Sequence, residues 1–341
     1  METQDPQLDS LLVGRDDAGA ARSYFADLFR HAFWLALTIW ASADRPSVGA
    51  AAAIRLHAEP RLVEMLHDNG TLLTYPFDTN QFKPYVRELI TLDGVDLLRD
   101  APADHLHHHG LMYGIKVNDI NFWEEAPTAG RQIPQTELIR EIRKDADGRP
   151  LARFSQALRW VGTNHVDAPD TTAPALLVEQ RTIAVTVDSA TERIQLEWRS
   201  EFAVGEGVPQ VTLTGASYHG LGIRFRADFD GVAERCNSEN LPYPDDGLQG
   251  TLPTRWMAVS QVVAGRPYTL TLFNHPSNPG KPRFFSMQKP FTYLSATQGL
   301  DETPLVYRSG DRWSIKYLLL VSTGRPSKEM LDRQYEWFIQ P

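Results

Sequence analysis

The segment Leu177-Val-Glu-Gln-Arg-Thr-Ile-Ala-Val-Thr-Val187 alternates two kinds of side chain along its length. Because successive side chains of a strand point to opposite faces of a sheet, this period of two predicts a half-buried β-strand. The first set of positions is Leu177, Glu179, Arg181, Ile183, Val185 and Val187, and the second contains Val178, Gln180, Thr182 and Ala184.

Segments of similar length and composition occur on both sides of this strand. They are rich in β-branched and aromatic residues, as strands are, and comprise Ala152 to Val161, Arg193 to Ala203, Gly220 to Ala227, Arg255 to Val263, Tyr268 to Asn274 and Trp313 to Ser322. Closer to the N-terminus, Asp68-Asn69-Gly70 and Asp93-Gly94 each separate two such runs and predict hairpin turns. Helical periodicity returns in Ser327 to Ile339. We therefore expect an all-β protein, a large antiparallel β-sandwich with an N-terminal helix and a short C-terminal helix.

The length of 341 residues is compatible with one large β domain. Hydrophobic residues form 42% and charged residues 23% of the chain, which is typical of a folded protein. Since no linker or repeat interrupts the pattern after Ala53, the predicted organisation is an N-terminal helix or signal segment in residues 1–50 and a single domain in residues 51–341.

The charge and cysteine content exclude several partners. A formal net charge of -9 and the lack of a Lys/Arg run argue against nucleic-acid binding. Cys236 is the only cysteine, so neither an intramolecular disulfide nor a thiolate metal knuckle is expected. The sequence does not indicate an oligomeric state.

The longest apolar run, Ala32 to Ala43, is shorter than the roughly 20 residues of a membrane span. Its length and its Ala41-Ser42-Ala43 end fit the core of a secretory signal, which would place the protein in the periplasm or outside the cell, with a mature N-terminus near Asp44. However, about 30 residues precede the run, and they include an acidic segment with Asp16, Asp17 and Asp27. This position favours an amphipathic helix and a cytoplasmic protein.

Four of the ten histidines lie in Asp104-His-Leu-His-His-His109. In an extended chain, period-two geometry would place His105, His107 and His109 on one face. Such imidazoles could transfer protons, or His105 and His107 could hold a divalent metal. The alternative is a histidine-rich surface loop, because the spacing H-x-H is a weak metal signal.

Aromatic and amide residues follow this run in Gly110 to Glu125. A ring such as Trp123 can stack on the C–H groups of a sugar while an amide such as Asn121 bonds its hydroxyls. The alternative is that these aromatics are ordinary core residues.

A second candidate is Phe273 to Pro279, at the end of an apolar strand. His275, with Asn274 and Asn278, is suitably placed for a pocket, although turn chemistry explains the same residues. The Pro- and Gly-rich segments Asn237 to Thr254 and Asn278 to Pro290 are expected to be loops that form the rim of such a pocket.

Five motifs occur in the order Lys83-Pro84-Tyr85, Asp104-His105-x-His107-His108-x-Gly110-Leu111, Asn118-Asp119-Ile120-Asn121-Phe122-Trp123, Gly220-Leu221-Gly222-Ile223-Arg224 and Asn274-His275-Pro276-Ser277-Asn278-Pro279. Together they resemble the bacterial PmoA-like family, often labelled "methane oxygenase PmoA", over about Arg61 to Gly324. Two positions depart from the family pattern: Leu106 replaces the usual proline and His109 the usual arginine, which binds anions in a bidentate manner where histidine does not.

The resemblance implies a β-sandwich protein of bacteria that degrade plant glycans and glycosides. With the residues above, it suggests an enzyme that acts on a sugar or glycoside by acid/base or metal-assisted chemistry, such as hydrolysis, elimination or epimerisation. The alternatives are a non-catalytic carbohydrate-binding protein and, following the family label, a copper or iron oxygenase. The expected catalytic residues are His105, His107, His108 and His275, and the expected substrate-binding residues are Lys83, Tyr85, Asn121, Trp123, Asn274 and Asn278.

Overall fold

The computed structural model describes residues 54–162, 174–243 and 249–340, in which nearly all regular structure is β-strand. The strands are β1 (Ile54–Glu59), β2 (Leu62–His67), β3 (Gly70–Pro76), β4 (Glu88–Leu89), β5 (Leu111–Gly114), β6 (Lys116–Val117), β7 (Ile120–Asn121), β8 (Arg131–Lys144), β9 (Pro150–Val161), β10 (Ala175–Asp188), β11 (Arg193–Val204), β12 (Gln210–Thr214), β13 (Gly220–Arg224), β14 (Glu234–Asn237), β15 (Gln249–Leu252), β16 (Trp256–Val263), β17 (Arg266–Asn274), β18 (Arg283–Met287), β19 (Tyr293–Thr297), β20 (Leu305–Arg308) and β21 (Arg312–Thr323). One short 3-10 helix, Ala227–Phe229, and one α-helix, α1 (Lys328–Phe338), complete the described elements.

The strands form four antiparallel sheets. The largest has eight strands in the order β14-β16-β17-β21-β11-β10-β9-β8, and a five-stranded sheet has the order β15-β18-β19-β13-β5. The remaining two sheets have four strands each, in the orders β1-β2-β3-β4 and β20-β12-β6-β7. The expected antiparallel, mainly β architecture with a C-terminal helix is confirmed. The predicted N-terminal helix or signal segment lies outside the described residues, and the domain boundary at residue 50 stays a prediction.

Strand β10 lies inside the largest sheet and alternates as its sequence predicts, with one face buried along its whole length. Two charged residues, Glu179 and Arg181, are on that buried face. The guanidinium Nε of Arg181 donates to Glu179 Oε1 at 2.8 Å, and Ser200 Oγ donates to the same carboxylate oxygen at 2.6 Å. Since buried charges are tolerated only when paired and hydrogen-bonded, this cluster explains how two charges fit into an apolar face.

A main cluster of buried hydrophobic side chains draws on all four sheets, from Val63 on β2 to Leu294 on β19. A second cluster packs α1 onto the largest sheet and includes Leu331 of α1 and Leu318 of β21. The helix begins after Ser327, whose side chain accepts a hydrogen bond from the Met330 N–H at 3.3 Å and caps the first turn.

The first predicted hairpin is present, because β2 and β3 pair across the two residues Asp68 and Asn69. The second predicted turn, at Asp93-Gly94, is present, but the segments on its two sides are joined by a single isolated β-bridge, between Ile90 and Asp96. The residues before that turn pair instead with β3 through β4. No described helix is long and apolar enough to cross a membrane.

Candidate active site: a histidine cavity

The segment that carries the four histidines is not extended. The N–H of His105 donates to the Pro102 carbonyl at 2.8 Å and the N–H of His108 to the His105 carbonyl at 2.9 Å, so two tight turns follow each other. The Ala101 N–H closes the loop on the His108 carbonyl at 2.9 Å. The expectation that His105, His107 and His109 would share one face is therefore wrong, because turns, and not strand alternation, orient these side chains.

The turns direct His105, His107 and His108 to one cavity of about 300 Å³. Eight further residues from five other parts of the chain complete what we call the histidine cavity: Trp123, Glu124, Tyr218, Gln249, Phe285, Met287, Phe291 and Tyr293. Most of these are aromatic, so the histidines face an apolar enclosure with few polar groups.

The imidazole rings contact one another. The rings of His105 and His108 stack with centroids 4.6 Å apart, and His107 meets His108 edge-on at 4.6 Å. Trp123 lies edge-on to His107 and His108, at 5.3 and 5.2 Å. The three histidines and Trp123, which the sequence selected separately, are therefore parts of one packed group.

Asn121 fixes the turn that brings Trp123 and Glu124 to the cavity. Its side-chain oxygen accepts the backbone N–H groups of Trp123 at 2.8 Å and Glu124 at 3.1 Å. Asn121 is not a lining residue. Its position indicates that it orients the lining residues, whereas the sequence suggested direct contact with a substrate.

Burial governs the protonation of the cavity histidines. His108 is 5% exposed, and burial, followed by the charges of His107, His105 and Arg224, lowers its pKa to about 3. Burial and the charge of Lys83 also lower the pKa of His107. A buried imidazole loses the hydration of its charged form, which favours the neutral ring. Nδ1 of His108 has no hydrogen-bond partner within the described residues.

The adjacent His109 points away from the cavity into an ion cluster. Its Nδ1 lies 2.6 Å from Asp100 Oδ1, and its Nε2 lies 2.8 Å from Glu125 Oε1. Burial alone would lower the pKa of His109, but the hydrogen bonds to these two carboxylates outweigh it, and the pKa is raised. Both ring nitrogens must donate to satisfy two carboxylates, so the imidazolium is the matching form.

Lys83 and Tyr85, predicted to bind a substrate, belong to this cluster and do not line the cavity. Lys83 Nζ is fully buried and donates to Glu125 Oε1 at 2.7 Å. The ring of Tyr85 stacks on His109 at 3.9 Å, and its hydroxyl donates to Asp100 Oδ2 at 3.1 Å. We refer to Lys83, Tyr85, Asp100, His109 and Glu125 as the ionic cluster.

The charges of the ionic cluster compensate each other. Burial would raise the pKa of Glu125, but its hydrogen bonds and proximity to His109 and Lys83 lower it to about 2. Burial lowers the pKa of Lys83, and Glu125 opposes that shift. The cluster therefore contains two cations and two carboxylates in contact, which is the arrangement that buried charges need.

The loop that contains His275 is also separate from the cavity lining. Asn278 Nδ2 donates to Asn274 Oδ1 at 2.6 Å and to the Lys316 carbonyl at 2.9 Å, and its Oδ1 accepts the Lys316 N–H at 2.7 Å. His275 Nδ1 lies 2.6 Å from Ser277 Oγ, and its ring packs edge-on against Phe338 of α1 at 5.2 Å. These polar groups bond to one another and to the backbone of Lys316 on β21, and a ligand-binding role for the loop stays a prediction.

Among residues 54–162, 174–243 and 249–340, no group of three or more His, Cys, Asp or Glu side chains is arranged to hold a metal ion. The rings of His105 and His108 stack, and those of His105 and His107 meet edge to face with centroids 5.9 Å apart. A metal held by the pair His105 and His107 stays a prediction from the sequence.

Sequence reasoning missed most of the cavity walls. Phe285 and Met287 come from β18, and Tyr293 from β19, within and beside segments that were expected to be loops. The expectation that Asn237 to Thr254 and Asn278 to Pro290 contribute to a pocket rim agrees with the positions of Gln249, Phe285 and Met287. Glu124 was also missed, although it directly follows Trp123 in the quoted motif.

A family model described as "Family of unknown function (DUF6807)" matches residues 62–336. No curated protein matches the chain.

Solved structures with a similar arrangement include an α-galactosidase from Lactobacillus brevis, at 7% identity and a TM-score of 0.40, covering 84% of this chain and 41% of that one. The GH36 α-galactosidase AgaA A355E from Geobacillus stearothermophilus, in complex with 1-deoxygalactonojirimycin, matches at 10% identity and a TM-score of 0.41, covering 79% and 40%. A galactose mutarotase related enzyme from Lactobacillus acidophilus matches at 9% identity and a TM-score of 0.24, covering 80% and 97%. The chain thus spans less than half the length of the α-galactosidases that it matches.

Proposed function

The chain belongs to a family of unknown function, DUF6807, and we propose that its histidine cavity is the active site of an enzyme that acts on a sugar or glycoside by histidine-based acid/base chemistry. One observation carries this proposal. Three imidazoles, His105, His107 and His108, line a single aromatic-walled cavity together with the carboxylate of Glu124. Proton-transfer groups that converge on an apolar pocket are the usual composition of an active site.

The shape and chemistry of the cavity support a sugar as ligand. Its volume of about 300 Å³ is at the lower end of the range for ligand pockets, which suits one sugar ring and its first substituent. The rings of Trp123, Tyr218 and Tyr293 offer faces and edges for the C–H groups of the sugar, and the imidazoles and Gln249 can bond its hydroxyls.

The three imidazoles have different environments and, in this proposal, different roles. His107 is half-buried and its lowered pKa keeps it neutral at pH 7, so it can take a proton from the substrate and return it. His108, whose pKa is about 3, stays neutral and acts as a fixed hydrogen-bonding group. His105 Nδ1 lies 3.1 Å from Asp104 Oδ2, a contact that can orient the ring.

A neutral imidazole can abstract a proton from the substrate, and the imidazolium that forms can return that proton, to carbon in an epimerisation or to the leaving group in an elimination. The proposal rests on proton transfer by the imidazoles; metal-assisted reactions and the copper or iron oxygenase stay alternatives from the sequence. His275, Asn274 and Asn278 are likewise not assigned to the site, because their polar groups serve the loop itself.

The finer assignments from the sequence belong to the same proposal. The likeness of five motifs to the PmoA-like family favours a β-sandwich in residues 51–341 and a role in bacterial carbohydrate catabolism. The shared hydrophobic core of the sheets is compatible with such a sandwich. If the protein binds a sugar without turning it over, the same cavity is a carbohydrate-binding site.

The test uses the purified full chain with a panel of monosaccharides and nitrophenyl glycosides, with binding measured by calorimetry and turnover by proton NMR. For His107→Ala we expect a loss of about 100-fold to 10,000-fold in turnover, with a change in unfolding free energy of only about 0.5 kcal/mol. His57→Ala is the matched control, because His57 is an exposed histidine that pairs with Glu64 on the neighbouring strand.

Wild-type turnover that survives His107→Ala would overturn the catalytic role of the cavity. Tight sugar binding without turnover of any panel member by the wild type would replace the enzyme with the carbohydrate-binding alternative.

A further inference from the structure

The two adjacent glutamates after Trp123 have opposite surroundings. Glu125 is held by Lys83 and His109 in the ionic cluster. Glu124 lines the histidine cavity, and its carboxylate has no hydrogen bond or ion pair with any residue that the structure describes. Only its backbone N–H is engaged, by Asn121. Among the described residues, Glu124 thus has no cation as a partner, and it lies beside the aromatic walls of the cavity.

The cations nearest the cavity are already paired. Lys83 is bonded to Glu125, and the guanidinium of Arg224 contacts Asp230 at 3.5 Å and lies 3.9 Å from the Phe291 ring centroid. His108 carries no charge at neutral pH. The uncompensated charge on the cavity wall is therefore negative.

The walls add to the attraction for a cation. The faces of Trp, Tyr and Phe rings carry partial negative charge, and cations bind over them, most strongly over Trp. Of the rings that line the cavity, Tyr218 is partly exposed, whereas Trp123 stacks on His219, Tyr293 stacks on His108 and Phe291 already has Arg224 over its ring. A carboxylate beside the Tyr218 ring can stabilise an ammonium group by charge while the ring adds a cation–π contact.

We infer that the substrate of the histidine cavity is an amino sugar, whose protonated amine pairs with Glu124 against the aromatic wall. The inference rests on the proposed function, because it names the class of sugar that the same cavity takes. A neutral sugar would leave the Glu124 carboxylate without a cation, and an acidic sugar would place a second negative charge beside it.

The experiment measures binding at about pH 6, where a sugar amine is protonated. It uses the full chain and three matched pairs: glucose with glucosamine, galactose with galactosamine, and mannose with mannosamine. Glucuronate and N-acetylglucosamine serve as an acidic and an uncharged comparison. For at least one pair we expect the amino sugar to bind about 10-fold more tightly than its neutral partner, and we expect no such gain for N-acetylglucosamine.

Variants assign the preference to one side chain. Glu124→Gln keeps the size of the side chain but removes its charge, so the amino sugar should lose its advantage while the neutral sugar binds as before. Glu124→Asp should keep part of the preference. Glu206→Gln, at an exposed turn, controls for the change in net charge and should keep all of it. Thermal melting of each variant establishes that it is folded.

The outcomes separate the two proposals. Equal binding within every pair, a preference for glucuronate, or a preference that survives Glu124→Gln would overturn the amino-sugar inference and leave the sugar function standing. If no sugar binds, the proposed function fails. Binding of choline in the absence of any sugar binding would overturn both, because it would assign the cavity to a cation that is not a sugar.

Discussion

His108 and His109 are adjacent in the chain, and the structure gives them opposite electrostatic environments. His108 packs against the rings of Trp123 and Phe291, at 5.2 and 5.1 Å, and its pKa is lowered to about 3. His109 lies between the carboxylates of Asp100 and Glu125, and its pKa is raised. Both side chains are almost fully buried, so burial alone does not decide the charge of a histidine. The partners at its two ring nitrogens decide it.

The ionic cluster and the histidine cavity use their polar groups differently. The ionic cluster uses its charged groups internally and supports the turn that carries the cavity histidines. In the histidine cavity, Nδ1 of His108 is buried and has no hydrogen-bond partner among the residues that the structure describes.

The largest effect on stability is expected at His109. His109→Ala would leave Asp100 and Glu125 facing each other without the cation between them, and we expect the unfolding free energy to fall by about 3–5 kcal/mol. His109→Arg should be less destabilising than His109→Ala because it keeps a cation between the two carboxylates. Urea unfolding with His57→Ala as control measures both, and a loss below about 1 kcal/mol would show that the cluster contributes little.

The pH dependence of stability should show the opposite pKa shifts. The pKa of His108 in the folded state is about 3, below the unfolded value of about 6.5. The unfolded state therefore binds more protons between these values, and this contribution is complete above about pH 6.5 and is lost as the pH falls towards about 3. The pKa of His109 is raised, so its contribution is complete below about pH 6.5 and is lost as the pH rises through the folded pKa.

His108→Phe isolates one of these two slopes. Phenylalanine suits the aromatic surroundings but cannot be protonated, so the variant should lose stability less steeply than the wild type below about pH 6.5, by up to about 1.4 kcal/mol per pH unit. Glu125, with a pKa of about 2, lowers the stability of both proteins equally at acid pH, so its effect cancels when the variant is compared with the wild type. Parallel stability curves for wild type and variant, from urea unfolding over this pH range, would mean that His108 is not held neutral.

The smallest effect is expected at His275, in the loop that does not line the cavity. His275→Ala removes a contact with Ser277 and an edge-on contact with Phe338, which should cost about 0.5–1 kcal/mol. Sugar binding should be unchanged. A calorimetric titration that shows weaker sugar binding for this variant would mean that the loop is part of the binding site.

The strands were predictable where one face is buried, because alternation is a local signal. Strand β10 shows the alternation that its sequence predicts. Strand β8 was missed: Pro134 and its many charges argue against a strand, yet it lies at the edge of the largest sheet, with an irregularity of pairing between Pro134 and Leu138. A proline is tolerated at an edge strand or bulge, and only the sheet order reveals that position.

The cavity was predictable in the same partial way. Clustering in the sequence identified His105, His107 and His108, because these residues are neighbours in the chain. The wall formed by Met287 and Tyr293 depends on the pairing of β18 with β19, in which these two residues are opposite each other. The difference between His108 and His109 depends on partners brought in by the fold, and no local pattern contains it.

The central claim, that the histidine cavity and not the ionic cluster or the His275 loop binds the ligand, is tested most directly by NMR of the histidine side chains. With imidazole nitrogens labelled, the signals of His105, His107 and His108 should shift on addition of a sugar that binds. The signals of His109 and His275 should stay in place. Shifts confined to His109 or His275, with the three cavity histidines unchanged, would contradict the account.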